Sequence, residues 1–147
     1  MWAKYSEGTQ IMSSDHKYMD IDGKMVALED LRGKYVYIDV WATWCGPCKA
    51  ELPYLKKLEK KFEGKNIYFV SISIDANKAA WIKMVQEDHL GGIQLHGGNK
   101  AQIAKDYAIR AIPRFILLDR EGKVINKEMT RPSDSETEET LNALEGI

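Results

Sequence analysis

A chain of 147 residues with 44% hydrophobic content is about one domain long and has enough apolar side chains to close a single core. Its 21 basic and 22 acidic residues leave a net charge of -1, which excludes both the basic excess of a nucleic-acid binder and the acidic excess of a solvating tail. The most apolar stretches, Val36 to Ala42 and Phe115 to Leu118, are short and bounded by charge, far from the roughly 18 continuous apolar residues of a membrane span.

Met1 to Asp15 contains no apolar run long enough for a signal-peptide core, so the chain is expected either to be cytosolic or to have lost a targeting segment. Residues 1–14 read as a polar, mobile extension, and residues 15–147 as a single domain. Lys17 to Ile21 and Lys24 to Leu28 are predicted to form a hairpin around Asp22-Gly23, a pair suited to the positive φ angles of a tight primed turn. Tyr35 to Val40 and Asn66 to Ile74 are dense in β-branched and aromatic residues without polar alternation, the pattern of strands covered on both faces. Leu52, Leu55, Leu58 and Phe62 recur at helical spacing before Gly64. Ala79, Ile82 and Val85 mark a second helix, and Ile103, Ala104 and Tyr107 a third. Arg114 to Asp119 and Val124 to Lys127 read as a second hairpin, and Ser133 with Glu136 as a capping box opening a last helix that turns Leu141 and Leu144 inward. Together these elements predict an α/β fold, a mixed sheet with helices on both faces.

Trp44-Cys45-Gly46-Pro47-Cys48 lies directly after a predicted buried strand and directly before an amphipathic helix. Pro47 suits the first helical turn, so the helix starts at the motif. The unsatisfied N–H groups and positive dipole end there favour a thiolate at Cys45, and Cys48, one turn on, can reach its sulfur. Such a pair supports two-step exchange with another disulfide, using neither metal nor organic cofactor. A zinc site would need more ligands, and His16, His89 and His96 do not follow at finger-like spacing. Covalent haem attachment needs His where Lys49 stands. A purely structural bridge closing so small a loop removes little chain entropy.

Tyr37 to Pro53 (YIDVWATWCGPCKAELP) and Tyr107 to Val124 (YAIRAIPRFILLDREGKV) resemble the two signature segments of the thioredoxin family. The likeness is closest to the extracytoplasmic, membrane-tethered TlpA/ResA-like thiol-disulfide oxidoreductases, whose N-terminal addition the Asp22-Gly23-Lys24 hairpin and Leu28 to Lys34 are similar to. The resemblance spans roughly residues 17 to 145. It implies a thioredoxin-like three-layer sandwich with an added N-terminal β-hairpin and a helical insertion. It also implies Cys45 as the exposed attacking thiol, Cys48 as the buried resolving one, and a cis Ile112-Pro113 peptide holding the Ile112 backbone beside Cys45. A substrate peptide could then pair with that backbone as an added strand. Trp44 and Ile112 would rim a groove that also includes Gly46, Pro47 and Pro113.

Asp39, flanked by Ile38, Val40 and Trp41, is expected to have a raised pKa. The resemblance makes it an acceptor for the Cys48 proton; the competing reading is a structural aspartate satisfied by a hydroxyl or amide at the sheet edge. Glu51, three residues after Cys48, falls on the same helix face and matches an acid of the ResA-like branch, so two acids compete to tune the thiols. Pro53 is expected to bend the helix. Trp41 reads as packing beneath the motif, Trp2 and Trp81 as packing or chance exposure, and His89 as a structural histidine continuing the face of Ile82 and Val85. Gly91-Gly92 and Gly97-Gly98 read as turns, not a phosphate loop.

No basic residue separates the cysteines to overstabilise a thiolate, which favours a reductant of protein disulfides, recharged by an upstream thiol donor. The chain is expected to be a monomer, and the resemblance implies a place outside the cytoplasm, with maturation of apocytochromes among the tasks of that branch. Two other readings compete: an adaptor that binds a peptide in the groove without turnover, and a thiol peroxidase. The second lacks the Thr and Arg surroundings of a peroxidatic cysteine near the motif.

Overall fold

The computed structural model describes residues 16–147; the expected N-terminal extension, and Trp2 with it, lies outside the described residues. The strands are β1 (Lys17–Asp20), β2 (Met25–Ala27), β3 (Tyr35–Trp41), β4 (Ile67–Ser73), β5 (Ile93–His96), β6 (Arg114–Leu118) and β7 (Val124–Asn126). The α-helices are α1 (Gly46–Lys61), α2 (Lys78–Glu87), α3 (Gln102–Asp106) and α4 (Ser135–Asn142). One seven-stranded sheet runs in the order β2-β1-β5-β4-β3-β6-β7. β3, β4 and β5 are parallel neighbours, whereas β1, β2, β6 and β7 pair antiparallel with the strands beside them. This is the mixed sheet the sequence predicted.

Every residue of β3 is buried because β3 sits in mid-sheet and both of its faces are covered. Val36, Ile38 and Val40 point into a core shared with Val70, Ile72, Leu95, Ile103 and Tyr107. Tyr35 and Tyr37 point the opposite way, toward Leu55 and Leu58 from α1, Phe62 at its C-cap and Leu141 from α4. Alternation along a strand therefore divides the core into two layers, each fully buried Val, Leu or Ile contributing on the order of 2 kcal/mol.

The two hairpins share one turn. Asp20 Oδ1 accepts from the N–H groups of Asp22 (2.9 Å) and Lys24 (2.8 Å), and Asp119 Oδ1 accepts from those of Glu121 (2.9 Å) and Lys123 (2.8 Å). Within these two loops positive φ falls on the glycine alone, 88° at Gly23 and 85° at Gly122. The first hairpin thus has a three-residue loop with a single left-handed glycine, not the two-residue primed turn expected, because the Asp20 side chain closes the loop.

Three further expectations change. Ile93 to His96, read as a segment between turns, is β5, inserted between β4 and β1. His89 is exposed at φ 49°, because α2 stops at Glu87 and its apolar face does not continue that far. Asp134, not Ser133, caps α4, accepting from Glu136 N–H at 2.9 Å. Trp81, by contrast, is wholly buried as packing on α2.

Candidate active site

β3 delivers the chain to the edge of the core at Trp41, and α1 begins five residues later. Cys45 is the N-cap of α1, with φ -89° and ψ 108°, and its Sγ accepts from the Cys48 N–H at 3.2 Å. Pro47 occupies the first turn, where no N–H is needed. The helix runs on through Pro53 to Lys61. Cys45 and Cys48 are joined as a disulfide with their Cα atoms 5.2 Å apart. The sulfur of Cys45 thus lies on the axis end of a 16-residue helix, where the field favours negative charge once the bridge opens.

The expected contrast in exposure between the two cysteines is small: Cys45 is 5% exposed and Cys48 3%. Both pack with Trp41, Ala42, Trp81 and Val85, and Ile112 lies against the same cluster. Trp44, at 67% exposure, stands out beside them, and Gly46 and Pro47 are exposed as well. The Ile112–Pro113 peptide bond is cis, and the Ile112 carbonyl oxygen lies 3.8 Å from Cys45 Sγ. The residues expected to rim a groove are therefore gathered around the cysteine that would react first.

Asp39 sits in the middle of the sheet, opposite Ser71 of β4 and Phe115 of β6, and not at an edge. Ser71 Oγ donates to its carboxylate at 3.4 Å. Burial pushes Asp39 up from 3.8 to about 7, with the Ser71 bond opposing and the charges of Glu59 and Glu51 adding to the rise. Tyr37, two residues earlier on the same face, is raised chiefly by burial and then by Asp39 and Glu51. Glu59 is also pushed up to about 7 by burial, with Lys56 opposing.

Glu51 is buried and already engaged. Ser133 donates to it twice, from its N–H at 2.9 Å and its hydroxyl at 2.7 Å. This explains why Ser133 does not cap α4: its side chain fastens the segment before α4 onto α1. Both carboxylate oxygens are taken up by that fastening.

Sequence reasoning missed Thr43, Ser73 and Asp75. Asp75 is 1% exposed just past the end of β4. Its carboxylate accepts from Thr43 N–H (3.2 and 3.1 Å to the two oxygens), from Thr43 Oγ1 (2.6 Å) and from Ser73 Oγ. Its own N–H donates to Ser73 Oγ at 3.0 Å. The Asp75 carbonyl accepts from His96 Nε2 at 2.8 Å, which places the proton on that nitrogen, and the His96 ring stacks on Trp81 with centroids 5.2 Å apart. The available signal was an acidic residue two positions past the end of a strand buried along almost its whole length, where only a partnered carboxylate is tolerated. Among the described residues, no group of three or more His, Cys, Asp or Glu side chains is arranged to hold a metal ion, and no helix is long and apolar enough to cross a membrane.

Comparison with known proteins agrees with this geometry. The redoxin family model matches residues 7–144. A ResA thiol-disulfide oxidoreductase of Bacillus cereus is 33% identical over 109 residues, covering 74% of this chain and 62% of the relative. The ResA protein of Bacillus thuringiensis is 30% identical over 126 residues, covering 85% of this chain and 72% of the relative. The solution structure of a Bacteroides vulgatus protein assigned to the thiol-disulfide oxidoreductases is 57% identical, with a TM-score of 0.82 over 91% of this chain and 88% of that one.

Proposed function

The chain belongs to the redoxin family, among its TlpA/ResA-like thiol-disulfide oxidoreductases, and from that premise we propose that the intact protein reduces disulfides in other proteins. One observation carries the reading: a disulfide between the N-cap and the third residue of a long helix, with the N-cap sulfur facing the Cys48 N–H. In the reduced protein the Cys45 thiolate attacks one sulfur of a substrate disulfide. A mixed disulfide forms, and the other substrate sulfur leaves as a thiolate and takes up a proton. The Cys48 thiolate then attacks Cys45 Sγ and expels the second substrate sulfur. Two electrons pass to the substrate, and the Cys45–Cys48 bridge remains.

Cys48 must lose its proton for the second step, and Asp39 is the acceptor in this reading. A carboxyl held near 7 is divided between its two forms at neutral pH, so it can take a proton and return it. Glu51 acts on the thiols by fixing α1 to Ser133. Trp44, Gly46, Pro47, Ile112 and Pro113 receive the substrate backbone and the apolar residues beside its cysteine. Residues 15–147 act as one catalytic domain, monomeric and outside the cytoplasm, tethered by sequence beyond the site, and an upstream dithiol protein restores the reduced state. The kinship with ResA proteins supports the placement.

Insulin reduction tests the reading. With dithiothreitol as donor, the chain should accelerate precipitation of the insulin B chain, Cys45→Ser should abolish the acceleration, and Cys48→Ala should accumulate mixed disulfides. Acceleration equal to that of the Cys45→Ser variant would overturn the assignment, and a Cys48→Ala variant that traps nothing would favour an adaptor.

A further inference from the structure

Three residues separate the end of β3 from the N-cap cysteine, and one of them is anchored. Thr43 gives both its N–H and its hydroxyl to the Asp75 carboxylate, which also holds Ser73 Oγ. Asp75 is in turn fixed at its own N–H by Ser73 and at its carbonyl by His96. A buried carboxylate cannot drift from donors that satisfy it, since leaving them would strand a charge in the core. The anchor therefore ties the turn before Cys45 to the ends of β4 and β5.

We propose that Asp75, acting through Thr43, is a positioning residue that holds the turn so that Cys45 Sγ stays within bonding reach of Cys48, thereby strengthening the dithiol as a reductant. The relevant equilibrium is protein dithiol plus oxidised glutathione giving protein disulfide plus two reduced glutathiones, the two thiol protons passing to the glutathione thiolates. Its constant measures how readily the second cysteine finds the first. Closing the bridge demands one relative placement of two sulfurs, whereas the dithiol tolerates many, so loosening the turn weakens the disulfide form selectively.

The inference rests on the dithiol exchanging with disulfides at all, and the experiment keeps the two apart. Thr43→Val, Thr43→Ser and Asp75→Asn are equilibrated with glutathione buffers, and the melting temperature of each redox form is recorded. Thr43→Val should lower the equilibrium constant roughly tenfold, about 30 mV toward a weaker reductant. Thr43→Ser, which keeps the hydroxyl, should restore it, and Asp75→Asn should fall at least as far as Thr43→Val. Constants within twofold of the parent in Thr43→Val, with both redox forms losing melting temperature equally, would refute positioning and leave a fold-supporting contact; the valine variant decides if Asp75→Asn does not fold. Failure of the parent chain to exchange with glutathione would instead refute the oxidoreductase reading.

Discussion

Asp39→Asn removes the only charge on the central strand while keeping the shape of the side chain and an oxygen that can accept from Ser71. Burial is the main cause that lifts this carboxyl from 3.8 to about 7 in the fold. The unfolded chain gives up the proton at the ordinary value; the folded chain keeps it until neutrality. Stability is therefore fully present below about pH 4, declines as pH rises through the window, and levels off above the folded value. At about 1.4 kcal/mol for each pH unit, the gap from 3.8 to about 7 corresponds to about 4 kcal/mol. The Asn variant has no such proton, so its stability relative to the parent should rise by about this amount between about pH 4 and 8. Glu59, raised to about 7 chiefly by burial, titrates in the same window in both proteins, and because its charge adds to the rise of Asp39 the difference reports the two coupled carboxyls. Guanidinium unfolding of both disulfide forms, repeated across that range, gives the two curves. Curves that run parallel, with a difference independent of pH, would refute the account of a neutral buried Asp39.

Trp44→Ala should raise the KM for insulin by roughly tenfold, as expected for the loss of an exposed aromatic anchor, and should slow a small aromatic disulfide much less; steady-state rates with the two substrates compare them. Glu51→Ala should cost about 2–3 kcal/mol in denaturant unfolding because two donors of Ser133 lose their acceptor, whereas Ser133→Ala, which keeps its N–H bond, should cost about 1 kcal/mol. Gly92→Ala should destabilise by at least ~2 kcal/mol in the same measurement, since φ is +65° and the added Cβ would sit 2.6 Å from the Phe69 carbonyl oxygen.

What the sequence made legible was local. The dithiol and the helix it caps lie within a few consecutive residues, so spacing alone located Cys45, Pro47 and Cys48. β3 and β4 were readable because strands covered on both faces are dense in β-branched and aromatic residues without polar alternation. β5 was hidden because Ile93 to His96 is four residues long between glycine pairs and owes its strand geometry to β4 and β1 on either side. The same limit hid the anchors of the site. Thr43 and Asp75 are 32 positions apart, and Glu51 and Ser133 are 82 apart, so no periodicity links them. Ser133 illustrates the conflict: local chemistry makes it a good helix cap, but a buried carboxylate from another helix offers a charged acceptor and Asp134 takes over the cap. The raised pKa of Asp39 could be foreseen from its apolar neighbours, but its place in mid-sheet could not.

The outermost strands of the sheet, β2 and β7, contain three residues each. Rims so short offer a foreign chain only a handful of free N–H and C=O groups, too few to template cross-molecular sheet growth. In the proposed reading, where a substrate's backbone pairs at Ile112, the protein can therefore accept that chain while its own margins resist co-aggregation with it.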